Sequence, residues 1–350
     1  MAYQGVLEDI KTCVRLATPL RMPVLALTFE FDLRMAGLTW GDSRRELEKV
    51  VQCQVEAVHK FDYDWVMVFP DDYVEFEPLG LKMRADDNGP AIPTDYLTMD
   101  LETLQRFRFP DLKTALRIPM HLDWIHRIKQ TFGDTVCVMG RIACPFSAAA
   151  LVYGIEPLLV GLIDNPGLVR ENLAYFSEYE IAYGQAQIKA GADGLWLGDC
   201  VASSRFISQK HFSEFAVPAA AQVSAELSTA DKFLIYHTCE TSLPFLRLQA
   251  QLPASAINVG EGVEMALVRE ELRDVKKCLT GNLDPKLVRD GTPGEVATET
   301  AKLIRENLPG GGYIFSTGED IMQTTPPENV MAIIRTARAT AADVLARRQS

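Results

Sequence analysis

The sequence predicts a single eight-stranded β/α barrel (a TIM barrel) that spans residues 1–350. Three observations lead to this fold class. Eight short apolar runs alternate with longer helical patterns, as in parallel strands joined by helices. A polar or ionisable residue closely follows each run, as expected for groups around the C-terminal mouth of a barrel. No Gly-x-Gly-x-x-Gly motif follows the first run, which argues against an open dinucleotide-binding sheet.

The predicted strands are short apolar segments. They cover residues 24–29, 65–69, 135–140, 194–197, 233–236, 256–259, 277–280 and 312–316. Helices are predicted between most of them, including residues 43–61, 166–190, 208–230 and 292–306. The residues before the first strand form an N-terminal extension. The segment 70–122 contains turn-forming residues and is predicted to be an insertion that covers the barrel mouth.

Composition excludes several classes of partner. The formal net charge is −12 and the pI is about 5.0, which argues against nucleic acid and against an anionic membrane surface. No apolar run reaches the length of about 18 residues that a membrane-spanning helix needs, and the first residues do not resemble a signal peptide. The seven cysteines form no disulfide framework, so we expect reduced thiols and a cytoplasmic location.

The fifth predicted strand ends in a pair of metal-binding residue types. His237 and Cys239 are two residues apart, so on a strand their side chains point the same way. Imidazole and thiolate are both good ligands for a borderline-soft metal such as zinc. The alternative is a buried imidazole beside an inert core thiol.

Three segments in the later part of the chain resemble the uroporphyrinogen decarboxylase superfamily. They are Cys278-Leu-Thr-Gly-Asn-Leu-Asp-Pro285, Gly318-Glu-Asp-Ile-Met-Gln-Thr-Thr-Pro-Pro-Glu-Asn-Val330 and Cys144-Pro-Phe-Ser147. The resemblance covers most of the chain from about residue 140 onward. It implies a β/α barrel and either decarboxylation of a porphyrinogen or corrinoid-linked methyl transfer.

Residue differences favour the methyltransferase branch of this superfamily. The decarboxylases carry a Met-Arg-Gln-Ala-Gly-Arg segment whose arginines bind the substrate carboxylates. Arg34 matches the first arginine, but Leu38 replaces the second, which removes a cationic partner for carboxylates. Several cobalamin-dependent methyltransferases bind zinc through His-x-Cys and a later cysteine near the eighth strand. His237 and Cys239 match the first two positions, and the third falls on Glu319.

The resemblance therefore implies zinc bound by His237, Cys239 and Glu319, with a fourth position open for substrate. Glu319 is also predicted to be catalytic, although it could instead cap the following segment or pair with Arg141. Asp199 is the other predicted catalytic residue, as an acid for leaving-group protonation. The alternative for Asp199 is a helix cap.

Further residues near the predicted strand ends are expected to bind substrate. Asp71 could instead belong to a solvated turn, and Asn282 could instead hold its own loop through hydrogen bonds to the backbone. The predicted substrate-binding residues are Arg34, Asp71, Arg141, Trp196 and Asn282.

The predicted function is zinc-dependent methyl transfer between a small methylated substrate, or a thiol or folate acceptor, and a corrinoid (methylcobalamin) carried by a partner protein. A zinc ion with a single thiolate ligand is harder and more electrophilic, which favours O-demethylation of a methoxylated aromatic. Two alternatives stay open: a metal-free decarboxylase, and a non-catalytic protein that binds a corrinoid or tetrapyrrole.

Overall fold

A barrel of parallel strands forms the centre of the protein. The computed structural model describes residues 3–229 and 231–349. Its strands are β1 (Val24–Leu25), β2 (Trp65–Met67), β3 (Lys82–Arg84), β4 (Ile92–Asp95), β5 (Cys137–Ala143), β6 (Gly194–Gly198), β7 (Phe233–His237), β8 (Ala256–Asn258), β9 (Cys278–Leu283) and β10 (Tyr313–Thr317). Within the described ranges, eight of them pair in parallel in the order β1-β10-β9-β8-β7-β6-β5-β2. Each of the eight overlaps one of the predicted apolar runs, so the predicted barrel is confirmed.

Helices surround the sheet. They are α1 (Val6–Val14), α2 (Phe29–Met35), α3 (Trp40–Arg45), α4 (Leu47–Phe61), α5 (Leu101–Arg106), α6 (Ile118–Phe132), α7 (Pro145–Tyr153), α8 (Ile155–Asp164), α9 (Pro166–Ala190), α10 (Gln209–His211), α11 (Val217–Leu227), α12 (Leu243–Gln249), α13 (Met265–Glu271), α14 (Pro285–Asp290), α15 (Pro293–Asn307) and α16 (Pro327–Gln349). The predicted helix 166–190 coincides with α9, and 292–306 coincides with α15 to within one residue.

Two predicted helices are interrupted. The segment 43–61 begins inside α3 and continues as α4. The two helices are separate because Glu46, which lies between them, has a φ of −120° and a ψ of 70°, which are not helical. The segment 208–230 contains α10, a π-helical turn at Phe212–Ala216 and α11. Pro218, in the first turn of α11, lacks the N–H that a continuous helix would use. Helix α11 ends at Leu227, and residue 230 lies outside the described residues.

The strands bury both of their faces, which explains their continuous apolar sequences. In β6 every residue is buried. Trp196 packs inside the barrel with Trp65 and Met139. Leu195 and Leu197 point the other way, into the cluster that the surrounding helices share.

The first and second strands are joined by side chains. The sheet ends at β1 on one side and at β2 on the other. Across the seam, Val24 donates its backbone N–H to Asp64 Oδ2 at 2.8 Å, and Trp65 donates its indole N–H to the Ala26 carbonyl at 2.8 Å. These two bonds nearly close the barrel.

The N-terminal extension blocks one end of the barrel. Val6, Ile10 and Cys13 of α1 are buried in the same cluster as the inward-facing barrel residues. Polar chemistry is therefore left to the opposite end, where the strands terminate.

The predicted insertion forms a second hydrophobic cluster beside the mouth. It contains the antiparallel β3–β4 hairpin and α5, and it ends before the predicted residue 122 because α6 begins at Ile118. Phe76 and Phe107 from the insertion pack with Phe146 of α7 and Phe176 of α9. Among the described helices, none alone is long and apolar enough to cross a membrane. Helices α7 and α8 meet the criterion only as a pair bent by 113°.

Asp64 is a buried charge at the junction of β1 and β2, and two arginines neutralise it. It is buried, and Arg338 of α16 donates to both of its oxygens, at 2.6 and 2.7 Å. Arg21 donates to the same carboxylate. One carboxylate thus ties the last helix to the junction between the first two strands.

We predict that Arg338→Ala lowers the free energy of unfolding by on the order of 3 kcal/mol, because it removes a partner of a buried charge. Urea unfolding followed by circular dichroism measures the change. Arg335→Ala is the matched control, since Arg335 is exposed on the same helix, and should change stability by about 0.5 kcal/mol or less. Equal midpoints for the two variants would contradict a role for the ion pair in closing the barrel.

Candidate metal centre

Four potential metal ligands converge at the mouth of the barrel. Cys200 follows β6, His237 ends β7, Cys239 lies two residues later, and Glu319 follows β10. Among the described residues, one donor atom from each lies within 4.8 Å of the other three. Their positions at the C-terminal ends of strands agree with the location of active sites in β/α barrels.

The donor atoms are close enough to share one cation. His237 Nε2 lies 3.3 Å from Cys239 Sγ and 3.0 Å from Glu319 Oε1. Cys239 Sγ lies 3.5 Å from Cys200 Sγ and also hydrogen-bonds Glu319 Oε1. A tetrahedral zinc with Zn–S bonds of about 2.3 Å separates two sulfurs by roughly 3.8 Å, so the observed spacing fits this ion.

Cys200 is the donor that the sequence reasoning missed. No metal-binding role was predicted for Cys200, and we expected His237, Cys239 and Glu319 to leave a fourth position open. The feature that identifies Cys200 is the alignment of β6 with β7. Gly198 pairs with His237 in the parallel register of β6 and β7. Cys200 and Cys239 follow these residues by the same two positions, so the two thiols reach the same level.

The protein favours anionic Cys200 and Glu319 in this cluster, whereas the hydrogen bond to Cys200 and burial raise the pKa of Cys239. The hydrogen bond from the Cys239 thiol, together with the nearby His237 imidazolium, lowers the pKa of Cys200 to about 5. Burial alone would raise the pKa of Glu319, but the charge and hydrogen bonds of His237 and Cys239 lower it to about 2. A thiolate and a carboxylate beside an imidazole suit a divalent cation.

Asn258 fixes the orientation of the His237 ring. Its amide N–H₂ donates to Thr280 Oγ1 at 3.0 Å and contacts the Thr317 carbonyl at 3.4 Å. This assignment leaves the Asn258 carbonyl oxygen facing His237 Nδ1 at 2.9 Å, so Nδ1 must carry the donated proton. The lone pair of a neutral imidazole is then on Nε2, which faces the cluster, as metal-binding histidines require.

A small cavity gives access to the cluster. Its volume is about 190 Å³, and Cys200, His237 and Glu319 contribute to its wall. The remaining lining residues are Leu27, Met67, Phe69, Asp72, Arg141, Trp196, Gly198 and Asp320. The cavity thus combines apolar walls with several carboxylates.

The structure places two predicted substrate-binding residues, Trp196 and Arg141, in this cavity. The Trp196 ring lies 4.7 Å from the His237 ring, between centroids. The Arg141 guanidinium lies 4.4 Å above the centre of the Phe69 ring and forms an ion pair with Asp72. Among the described residues that line the cavity, Arg141 is the only arginine or lysine.

Asp199, predicted to be catalytic, is buried beside helix α7. It accepts hydrogen bonds from the Ser147 backbone N–H at 2.9 Å and from the Tyr236 hydroxyl at 2.7 Å. Burial raises the pKa of Asp199 to about 7. Its contacts match the helix-capping alternative, and its catalytic role remains a prediction.

The structure places the other three predicted substrate-binding residues outside the lining of the metal cavity. Asp71 is buried against Arg117, which donates to it at 2.6 and 3.0 Å. Asn282 donates to the carbonyls of residues 260 and 263 at 3.0 and 2.8 Å, so it has a backbone-binding role as in its alternative, but it holds the neighbouring loop after β8 and not its own loop. Arg34 donates to the Thr325 carbonyl at 2.6 Å and lines a separate cavity of about 230 Å³.

Asp320 is a further cavity residue that sequence reasoning missed. It lines the wall next to Glu319. Enclosure in the cavity and the negative charge of Glu319 raise the pKa of Asp320 to about 7. Its position directly after Glu319 in the sequence was the available signal.

Comparison with known proteins agrees with the fold. The profile described as Uroporphyrinogen decarboxylase (URO-D) matches residues 9–340. A methylcobamide:CoM methyltransferase of Methanosarcina mazei is 25% identical over 325 residues, which cover 91% of this chain and 93% of the relative. A solved structure described as a methyltransferase from Methanosarcina mazei has a TM-score of 0.85 at 21% identity, and the match covers 95% of this chain and 98% of that one.

Other relatives represent both chemistries of the family. A methylated-thiol–coenzyme M methyltransferase of Methanosarcina mazei is 27% identical over 277 residues, which cover 77% of this chain and 71% of the relative. A uroporphyrinogen decarboxylase of Anaeromyxobacter dehalogenans is 27% identical over 315 residues, which cover 84% and 86%. The chain therefore belongs to the uroporphyrinogen decarboxylase family, and the expectation of a methyltransferase enzyme of this family is confirmed.

Proposed function

We propose that this enzyme transfers a methyl group between a corrinoid carried by a partner protein and a small substrate, with zinc held by Cys200, His237, Cys239 and Glu319. The observation that carries the proposal is the convergence of these four donors within 4.8 Å at the barrel mouth. The methylcobamide:CoM relative supports the corrinoid partner. When bound, zinc would supply Lewis acidity that lowers the pKa of a thiol or polarises an ether oxygen, and the substrate atom would have to join as a fifth ligand or replace one of the four protein donors.

Residues of the cavity would bind and enclose the substrate. Phe69 and Trp196 provide apolar walls that exclude water. Arg141 donates one amino group to Asp72, so its remaining N–H groups can receive an anionic group of the substrate. The cavity volume of about 190 Å³ limits the substrate to a small molecule.

The additional thiol favours a thiol substrate over an aryl ether. The expectation of an ether rested on a single thiolate and a correspondingly harder zinc. With Cys200 included, two thiolates and one carboxylate carry a total charge of −3, which exceeds the charge of zinc and weakens its Lewis acidity. Such a centre is better suited to keep a substrate thiolate nucleophilic than to activate an ether. The methylated-thiol relative is consistent with this preference.

The cavity does not suit the competing decarboxylase function. A porphyrinogen is larger than a cavity of about 190 Å³ allows. Its several carboxylates need cationic partners, but among the described lining residues Asp72, Glu319 and Asp320 accompany a single arginine, Arg141, and no lysine. Arg34, the residue that matches the arginine segment of the decarboxylases, lines the other cavity.

We predict that the purified protein contains about one zinc per chain and that Cys200→Ala weakens zinc binding at least tenfold, because it removes one of four ligands. Inductively coupled plasma mass spectrometry gives the zinc content, and competition with a chromophoric chelator gives the affinity. Cys53→Ala is the control, since Cys53 is a buried thiol of the helix cluster. Unchanged zinc affinity in Cys200→Ala would remove this residue from the ligand set.

We predict that the zinc-loaded enzyme methylates a small thiol such as coenzyme M with methylcobalamin as donor, and that His237→Ala reduces the rate at least 100-fold. Loss of the methylcobalamin absorption and mass spectrometry of the thioether measure turnover. Circular dichroism should show that His237→Ala remains folded.

Three results of this assay would argue against the proposal. Demethylation of aryl ethers without thiol methylation would restore the ether hypothesis. Metal-independent release of carbon dioxide from a porphyrinogen would favour the decarboxylase. Tight corrinoid binding without turnover of either substrate class would favour a carrier.

We predict that Asn258→Leu weakens zinc binding about 10- to 100-fold, because loss of the acceptor at Nδ1 frees the ring and its tautomer. Asn258→Asp keeps an acceptor at the same place and should retain the parent affinity within about threefold. The chelator competition measures both variants. Equal affinity in Asn258→Leu and the parent would show that the hydrogen bond does not orient the ligand.

A further inference from the structure

The two thiols of the metal centre lie beyond the region that sheet pairing can position. The register of β6 and β7 ends at Gly198 and His237, followed by a single bond from the Asp199 N–H to the His237 carbonyl at 2.7 Å. Cys200 and Cys239 lie in the loops that follow. Cys239 has a φ of 55°, an uncommon conformation for a residue other than glycine. Another interaction must therefore hold these loops where their sulfurs lie 3.5 Å apart.

Glu240 connects the two loops through its side chain. The carboxylate is buried, and its Oε2 accepts the Ser204 N–H at 2.7 Å from the loop that contains Cys200. Its Oε1 accepts the Ser204 hydroxyl at 2.8 Å and the N–H groups of Thr241 and Ser242 at 2.8 and 2.7 Å. The two bonds to Ser204 cross-link the loops, and the two bonds from Thr241 and Ser242 fix the carboxylate within its own loop.

The backbone of Glu240 extends this connection to the next loop. Its carbonyl accepts the Gly260 N–H at 3.0 Å. A Cβ at position 260 would lie 2.8 Å from the Cys239 carbonyl, so the two loops pack against each other at this point. On the far side, the Val201 N–H donates to Ser147 Oγ at 3.1 Å. The loop with Cys200 is thus held between helix α7 and Glu240.

We propose that Glu240 is a positioning residue that sets the spacing of Cys200 and Cys239 so that both thiols bind the same metal ion. The inference rests on the proposed zinc site. Glu240 supplies no donor atom to the cluster, since its oxygens are occupied by Ser204 and by its own loop. Without the carboxylate, the loop after β6 loses its link to the loop after β7. Cys200 then leaves the metal, which stays on His237, Cys239 and Glu319.

Cobalt(II) binding to the whole protein tests this role without measuring activity. Thiolate-to-cobalt charge transfer in the near ultraviolet reports how many thiolates bind the ion, since Co²⁺ and Zn²⁺ accept the same ligand types. We expect Glu240→Gln, which has a similar shape but places an N–H₂ group against backbone donors, to bind cobalt with about half of the parent charge-transfer intensity. Cys200→Ala provides the reference spectrum for a single thiolate. Glu264→Gln, on the exposed rim after β8, should match the parent.

The outcomes separate the two proposals. No charge-transfer band in the parent would remove the proposed metal site itself. A parent band that is unchanged in Glu240→Gln would overturn the positioning role. If Glu240→Gln fails to fold, Ser204→Ala removes one bond of the cross-link and leaves the other. We then expect a partial loss of intensity and faster alkylation of Cys200 in the cobalt-loaded protein, and parent-like values for both would overturn the proposal.

Discussion

The parallel register between β6 and β7 is the constraint on which the site depends. Because Gly198 is paired with His237, residues at equal distances beyond this pair emerge at one level, and both happen to be cysteines. The segment after β7 supplies one imidazole, His237, and one thiol, Cys239. The second thiol, Cys200, comes from the segment after the neighbouring strand β6. Sheet pairing thus brings the two loops that carry the thiols to the same level, and this becomes visible only when two distant segments are aligned.

The rest of the fold leaves one end of the barrel available for polar groups. Helix α1 fills the opposite end with apolar side chains. Asp64 nearly closes the seam where β1 and β2 lack a ladder. The second hydrophobic cluster packs beside the mouth. Buried polar side chains at the mouth are satisfied by their neighbours, Asn258 by adjacent strands and Glu240 by adjacent loops, as burial of polar groups requires.

The sequence allowed the barrel, most strand positions and the pair His237 and Cys239 to be predicted, because these depend on local apolar patterns and on residue spacing. It did not reveal the role of Cys200, which depends on register between strands. The sequence also did not reveal the direction of the Asp199 side chain, because its carboxylate accepts a hydrogen bond from the Ser147 N–H in helix α7. Side-chain direction at a strand end depends on the neighbouring loop and helix, and the strand sequence alone does not contain that information.

The position of the second thiol places three of the four donors on one side of the mouth. The family resemblance places a cysteine near the eighth strand, where this chain has Glu319. Here the thiols come from adjacent loops that Glu240 joins, and Asn258 fixes the imidazole. Glu319 comes from the other side of the mouth, and its side chain is 33% exposed. A carboxylate at that position adds a charged ligand beside the substrate cavity, which Cys200 also lines, while Glu240 and Asn258 hold the other three donors through hydrogen bonds.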